Sequence, residues 1–249
     1  NGDSQTDLVA ISSNPGAGIG GLLSLLFNDG QGGFEPPVEI PTDVSPSWLL
    51  LEDVDEDGHL DISVVHASPS LENNLVVYRG NGAGSFSRDI EIFFEDEVWA
   101  LASGDLNGDG VLDLIAGGAI YLHTLLGYGG GEFFRYDLAD SVAPFSMATA
   151  DFDEDDRLDL FADGSGGGGI FLGDGAGALG AATIVRVSSS VYDLSRNLVT
   201  GDFDDDGNLD IAVGEVAFPE TWMHVLLGDG AGQFTASKIQ LVHGPQHVV

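Results

Sequence analysis

Carboxylates spaced to converge on one hard cation recur along this chain. In the stretch Asp202-Phe203-Asp204-Asp205-Asp206-Gly207-Asn208-Leu209-Asp210, Asp202, Asp204, Asp206 and Asp210 hold positions one, three, five and nine. The main-chain carbonyl of Asn208, at position seven, adds a further oxygen. Calcium is a hard ion that takes about six to eight oxygen ligands. A bidentate ninth residue and water complete that shell. Clustered carboxylates repel one another unless a cation neutralises them.

The same pattern appears three more times in full. One copy offers Asp53, Asp55, Asp57, the carbonyl of His59, and Asp61. The next offers Asp105, Asn107, Asp109, the carbonyl of Val111, and Asp113; its asparagine still supplies a side-chain oxygen. The third offers Asp151, Asp153, Asp155, the carbonyl of Arg157, and Asp159. A fifth copy opens the chain without its first two positions, with Asn1, Asp3, the carbonyl of Gln5, and Asp7 as positions three, five, seven and nine. The expectation is Ca²⁺ in four complete loops, with a fifth, truncated loop that is incomplete as a site. An EF-hand carries a glutamate at position twelve between helices. Here that position is Val64, Ala116, Ala162 or Val213, which excludes it. Magnesium resists an all-protein shell and fits less well. Position six is Gly58, Gly110 and Gly207 in three copies, as a sharp turn requires. Asp156 and Ser4 depart from that pattern.

Something must hold these loops in register. Apolar, strand-like segments flank each one, such as Trp99-Ala100-Leu101-Ala102 before the loop that opens at Asp105 and Asp113-Leu114-Ile115-Ala116 at its end. A second repeated element runs out of phase with the loops. It is a Gly-rich turn ending on an apolar residue, as in Gly80-Asn81-Gly82-Ala83-Gly84-Ser85-Phe86 and Gly228-Asp229-Gly230-Ala231-Gly232-Gln233-Phe234. Asn-Gly and Asp-Gly pairs favour hairpins because such turns need positive φ. No stretch sustains a helical period. One repeat therefore reads as four strands: A, the acidic loop, B, C, the Gly turn, and D.

Four short strands per repeat of 46 to 52 residues is the pattern of a β-propeller blade. The fold class is all-β, a β-propeller of four-stranded blades with five repeats visible. The approximate repeats are 1–45, 46–96, 97–142, 143–193 and 194–243, in one domain spanning 1–249. The tail 244–249 resembles the start of strand A and reads as a closing strand for the first blade. A ring of five and part of a larger ring both satisfy this spacing, and the start at loop position three reads as a cut end. Strand D is the outer edge. Four of the seven basic residues lie on it, Arg88, Arg135, Arg186 and Lys238, where charge discourages strand addition.

The net charge of −34 excludes nucleic acid and anionic membrane surfaces as partners. Cysteine is absent, so no disulfide forms. No apolar run reaches membrane-span length, so no membrane insertion is expected.

The loops and the turn Leu227-Gly228-Asp229-Gly230-Ala231-Gly232-Gln233-Phe234 resemble the FG-GAP/VCBS repeat, over nearly the whole chain. That repeat forms the blades of integrin α-subunit heads, certain fungal lectins and many bacterial surface proteins. The resemblance implies a propeller with Ca²⁺ in the A–B loops and a secreted or cell-surface location. It leaves function open, because the same blade serves adhesion, sugar binding and, in some polysaccharide lyases, catalysis.

No HExxH, phosphate loop or nucleophile elbow is present. Ser165 sits in a Gly-rich run, Asp163-Gly164-Ser165-Gly166-Gly167, that lacks the first glycine of an elbow. His123 and His224 occupy equivalent strand C positions and read as packing residues. The expectation is a non-enzymatic recognition or adhesion module for a glycan or protein ligand, with structural calcium. The alternatives are a structural subunit of a surface layer or filament, formed by self-assembly, and a polysaccharide lyase. Trp48 and Trp99 read as interblade packing, and Trp222 as the most accessible tryptophan for a sugar to stack on.

Overall fold

In a computed structural model the chain is described at residues 1–13, 20–42, 46–66, 73–139, 142–165, 167–186, 198–217 and 220–241. It is all-β, and its sheets are antiparallel meanders in which sequence neighbours pair. Two compact units are present. One comprises Asn1–Trp99 with Gly129–Glu132, and the other Ala100–Tyr128 with Phe133–Val249.

The first unit holds two sheets. Strands β1 (Leu8–Ser13), β2 (Gly21–Leu26) and β3 (Val38–Thr42) form a three-stranded sheet among the described residues. They correspond to B, C and D of the first repeat. The strand expected at 244–249 lies outside the described residues. Strands β4 (Pro46–Glu52), β5 (Asp61–His66), β6 (Asn73–Gly80) and β7 (Phe86–Phe94) form the second, a complete A-B-C-D blade.

The second unit holds three more such blades. Strands β8 (Val98–Gly104), β9 (Asp113–Gly118), β10 (Tyr121–Gly127) and β11 (Phe133–Ala139) form one. Strands β12 (Pro144–Ala150), β13 (Asp159–Gly164), β14 (Gly167–Phe171) and β15 (Thr183–Arg186) form the next. Strands β16 (Leu198–Gly201), β17 (Asp210–Ala217), β18 (Glu220–Gly228) and β19 (Phe234–Leu241) form the last.

Position in the blade explains the sequence of each strand. Every residue of β5, β9 and β13 is buried, so both faces are covered. Their near-continuous apolar runs suit that burial. Strands β7 and β11 are edge strands and alternate between partly buried and exposed residues. Arg88, Arg135 and Lys238 lie on edge strands, as the sequence indicates. Pro46 and Pro144 each open a strand A and are followed by a register shift. Proline lacks the N–H a ladder needs, so it belongs at a strand start or bulge. In the first unit Leu23, Leu25, Ile62, Val64, Val76 and Tyr78 form one core cluster. In the second, Leu106, Ile115, Leu122, Leu160 and Phe171 belong to one cluster. Phe152, Phe161, Ile170, Ile211, Val213 and Leu226 form another.

Candidate metal centres in the blade loops

Each acidic loop joins strand A to strand B and is shaped by its own first aspartate. Asp53, Asp105, Asp151 and Asp202 each accept the position-five amide at 3.1 Å and the position-six amide at 2.9 Å. The position-five carboxylate then accepts the position-seven amide, at 2.8–3.1 Å across the four loops. The backbone therefore coils around the carboxylates.

That coil demands two left-handed residues per loop. Position six has φ of 69, 88, 84, 66 and 96° at Ser4, Gly58, Gly110, Asp156 and Gly207. Position four is also left-handed, at Gly2, Glu56, Gly108, Glu154 and Asp205, with φ of 80, 62, 72, 57 and 61°. Sequence reasoning missed the second requirement. Its only signal was glycine at positions 2 and 108, and two of the other three repeats place a glutamate there.

Position nine does more than offer a ligand. Asp61, Asp113, Asp159 and Asp210 are fully buried. One oxygen of each accepts the position-two amide, of Val54, Leu106, Phe152 or Phe203, at 2.7–3.0 Å. The other accepts the first amide of the Gly turn, at Gly80, Gly127, Gly173 or Gly228, at 2.8 Å. Asp7 receives the amide of Asn28 in the same way at 2.8 Å. The ninth residue thus clasps the acidic loop to the turn of its own blade. Burial pushes the Asp61, Asp113 and Asp159 carboxyls above the usual carboxylate range, against the pull of those amides.

This clasp explains the first glycine of each turn. A Cβ there would lie 2.1–2.4 Å from the carbonyl oxygen of loop position eight, Leu60, Leu112, Leu158 or Leu209. Asn28 replaces that glycine in the first repeat and donates its side-chain amide to the equivalent carbonyl of Thr6 at 3.2 Å. Gly173→Ala should therefore destabilise the protein by about 2–3 kcal/mol, the cost of forcing atoms into a packed site. Gly30→Ala meets nothing within 4 Å and pays only for its φ of 68°, about 1 kcal/mol. Urea melts of the two variants test this ranking, and equal losses would refute it.

The turns carry a second clasp. Asp29, Asn81, Asp174 and Asp229 each accept two turn amides on Oδ1 at 2.7–3.1 Å. Tyr128 stands at that place in the third repeat.

The structure brings three predicted ligands together in each of three loops, and among the described residues it gives no such group in the Asp105–Asp113 or Asn1–Asp7 loop. Ligand atoms of Asp53, Asp55 and Asp57 lie within 4.8 Å of one another, as do those of Asp151, Asp153 and Asp159, and those of Asp202, Asp204 and Asp206. In the fourth loop Asp153 Oδ1 is buried and has no hydrogen-bond partner. Burial first, then Asp155 and Asp151, push the Asp153 carboxyl up. An orphaned, crowded carboxylate oxygen among others fits a hard cation, and an all-oxygen donor set fits Ca²⁺. Asp151, Asp153, Asp155, Asp159 and the Arg157 carbonyl would hold it there.

The two strand C histidines, His123 and His224, are buried. His123 is fully buried, with Nδ1 2.7 Å from Asp137 Oδ1. Arg135 grips the same carboxylate through two nitrogens, and with His123 holds the Asp137 pKa down to about 2. Trp222 is half-buried, as Trp48 and Trp99 are, and Lys238 Nζ lies over its ring, 4.5 Å from the centroid.

Blades of this topology with a carboxylate loop between A and B define an acidic-loop β-propeller repeat. The chain is similar to the FG-GAP-like repeat family, whose model matches residues 1–64 and 53–116. Among solved structures the chain is similar to an Agrocybe aegerita lectin recognising non-reducing terminal N-acetylglucosamine. The identity is 20%, the TM-score 0.47, and the match covers 95% of this chain and 80% of that one. It is also similar to rhamnogalacturonan lyase YesW, at 14% identity and TM-score 0.57, over 94% of this chain and 48% of that one. For the exotype rhamnogalacturonan lyase YesX the values are 14%, 0.53, 94% and 46%. The chain spans about half the length of the two lyases, and the likeness to them is one of fold. No curated protein matches the chain. Among the described residues no helix is long and apolar enough to cross a membrane.

Proposed function

We propose that this chain is a secreted or cell-surface recognition module, non-catalytic, whose acidic loops bind Ca²⁺ as structural ions and whose surface binds a glycan or protein ligand. The orphaned Asp153 Oδ1, buried within a cluster of carboxylates, carries the calcium reading. The ion pins a loop that the ninth aspartate already ties to its blade.

A cavity of about 570 Å³ in the second unit supports the recognition reading. Asp105, Gly108, Asp151, Arg157, Leu158 and Asp174 are among its lining residues. Carboxylates and a guanidinium beside an apolar side chain are the groups that hydrogen-bond and pack against a polyhydroxylated ligand. Because Asp105 and Asp151 also belong to metal loops, ligand binding here depends on calcium. On a glycan array the protein should retain a sugar in the presence of calcium. Retention should fall at least about tenfold with chelator or with Arg157→Ala, as when one charged partner is lost. An array silent in calcium would sink the sugar reading.

A further inference from the structure

Arg79 stands where the other repeats carry Phe27, Leu126, Leu172 or Leu227, immediately before the turn. Its Nη1 lies 2.8 Å from Asp55 Oδ2, and its Nη2 lies 2.7 Å from Asp89 Oδ2 and 3.2 Å from the carbonyl oxygen of Gly130. Asp55 holds position three of the second acidic loop, and its side chain is only 5% exposed. Its other oxygen accepts the Asp57 amide at 3.1 Å. Both oxygens of this ligand are therefore engaged from within the chain.

The fourth loop makes the contrast. Position three there is Asp153, the residue before the turn is Leu172, and Asp153 Oδ1 is buried without a partner. The surroundings of Arg79 are adapted as well. The turn that receives it is the one with Tyr128 in place of the Asx residue and three successive glycines, Gly129-Gly130-Gly131. A Cβ on Gly131 would lie 3.2 Å from Arg79 Nη2. Two departures from the repeat thus meet at one contact.

We propose that Arg79 is an internal cation that serves the second acidic loop in place of a bound metal. The loops are then unequal: the second takes Ca²⁺ weakly, because an ion there must displace the guanidinium or bear its repulsion, while the fourth requires one. This rests on the reading of the loops as calcium sites. It also gives the second blade a rigid loop when metal is scarce.

The test is calcium binding by the whole chain, counted by native mass spectrometry and titrated by calorimetry, with melting followed in chelator. Arg79→Leu, which restores the residue of the other repeats, should bind one more tight ion or tighten the weakest site by roughly tenfold or more. Its melting in chelator should fall below that of the wild type and recover when calcium is added. Leu172→Arg should do the converse, losing one tight ion and melting higher in chelator. This second variant keeps the proposal falsifiable if Arg79→Leu folds poorly. Wild-type protein that takes up no calcium would sink the calcium reading itself. Protein that binds calcium, but with the same count and affinities in both variants, would overturn only the role given to Arg79.

Discussion

Asp159→Ala in the calcium-loaded protein is expected to cost about 3–5 kcal/mol and to lower Tm by roughly 10–15 °C. The two oxygens of Asp159 accept the amides of Phe152 and Gly173 at 2.9 and 2.8 Å, and the side chain is fully buried. Alanine leaves both amides without their acceptor, and each buried donor without a partner costs about 1–3 kcal/mol. It also removes one of the proposed calcium ligands of the fourth loop. One effect opposes these losses: burying the charge is itself unfavourable, which is why the carboxyl is pushed up. With a cation present that charge is neutralised, so the lost hydrogen bonds dominate. Asp159→Asn should recover little, since an amide side chain offers one acceptor oxygen and turns its NH₂ toward the second donor. Differential scanning calorimetry in calcium decides the matter; a variant melting within about 2 °C of wild type would refute the clasp.

Removing calcium is expected to lower Tm by at least about 10 °C. A ligand that binds only the folded state stabilises it by about 2.7 kcal/mol per site when free ligand exceeds Kd a hundredfold. In a chain of this size each kcal/mol moves Tm by roughly 2–4 °C. The chelated protein should also respond to acid with an unusual sign. Asp61, Asp113 and Asp159 are raised by burial, and Asp153 by burial and its neighbours. A raised folded pKa means that the native state binds protons more readily than the unfolded chain. Stability then increases as pH falls through the folded value toward the unfolded one, near about 4. Asp29 and Asp137, whose carboxyls are lowered, lose their contribution only as pH falls below the unfolded value. Between neutral pH and a pH just above the unfolded carboxylate value, near about 4, the metal-free protein should therefore gain stability, while the calcium-loaded protein loses it as protons displace the ion. Melting curves at both pH values, with calcium and with chelator, test the pair. A chelator-insensitive Tm, in protein shown metal-free by elemental analysis, would exclude structural calcium.

The parts legible from sequence were those written locally and repeated. Carboxylates at odd positions marked the loops, Asx-Gly pairs marked the turns, and apolar runs between them marked the strands. Strand B at Asp113–Ala116 and strand D at Phe86–Ile92 lie within β9 and β7. What stayed hidden depends on atoms brought together by folding. Asp61 and Gly80 are distant in sequence, so their bond could not be read from either residue alone. The left-handed fourth position was masked because Glu56 and Glu154 occupy it, and glutamate rarely adopts that conformation. The tryptophan with the best sequence claim to accessibility, Trp222, is covered on one side by Lys238, which comes from the neighbouring strand.

The ninth-position clasp has a consequence for how such a chain can change. It ties together the two connections at one end of every blade, and their lengths do not vary. All four complete A–B loops place eight residues between strands. All five turns close on a residue pair six apart: Asn28 with Phe34, Gly80 with Phe86, Gly127 with Phe133, Gly173 with Leu179, and Gly228 with Phe234. At the other end the spacing between described strands varies from blade to blade. There the B–C connections run from two residues, between β9 and β10, to seven, between β1 and β2, and the D–A connections from three to eleven. Each blade is thus constant in length at its acidic-loop end and variable at the opposite one. Inserting or deleting a residue should therefore be tolerated at the variable end and should break the clasp at the other.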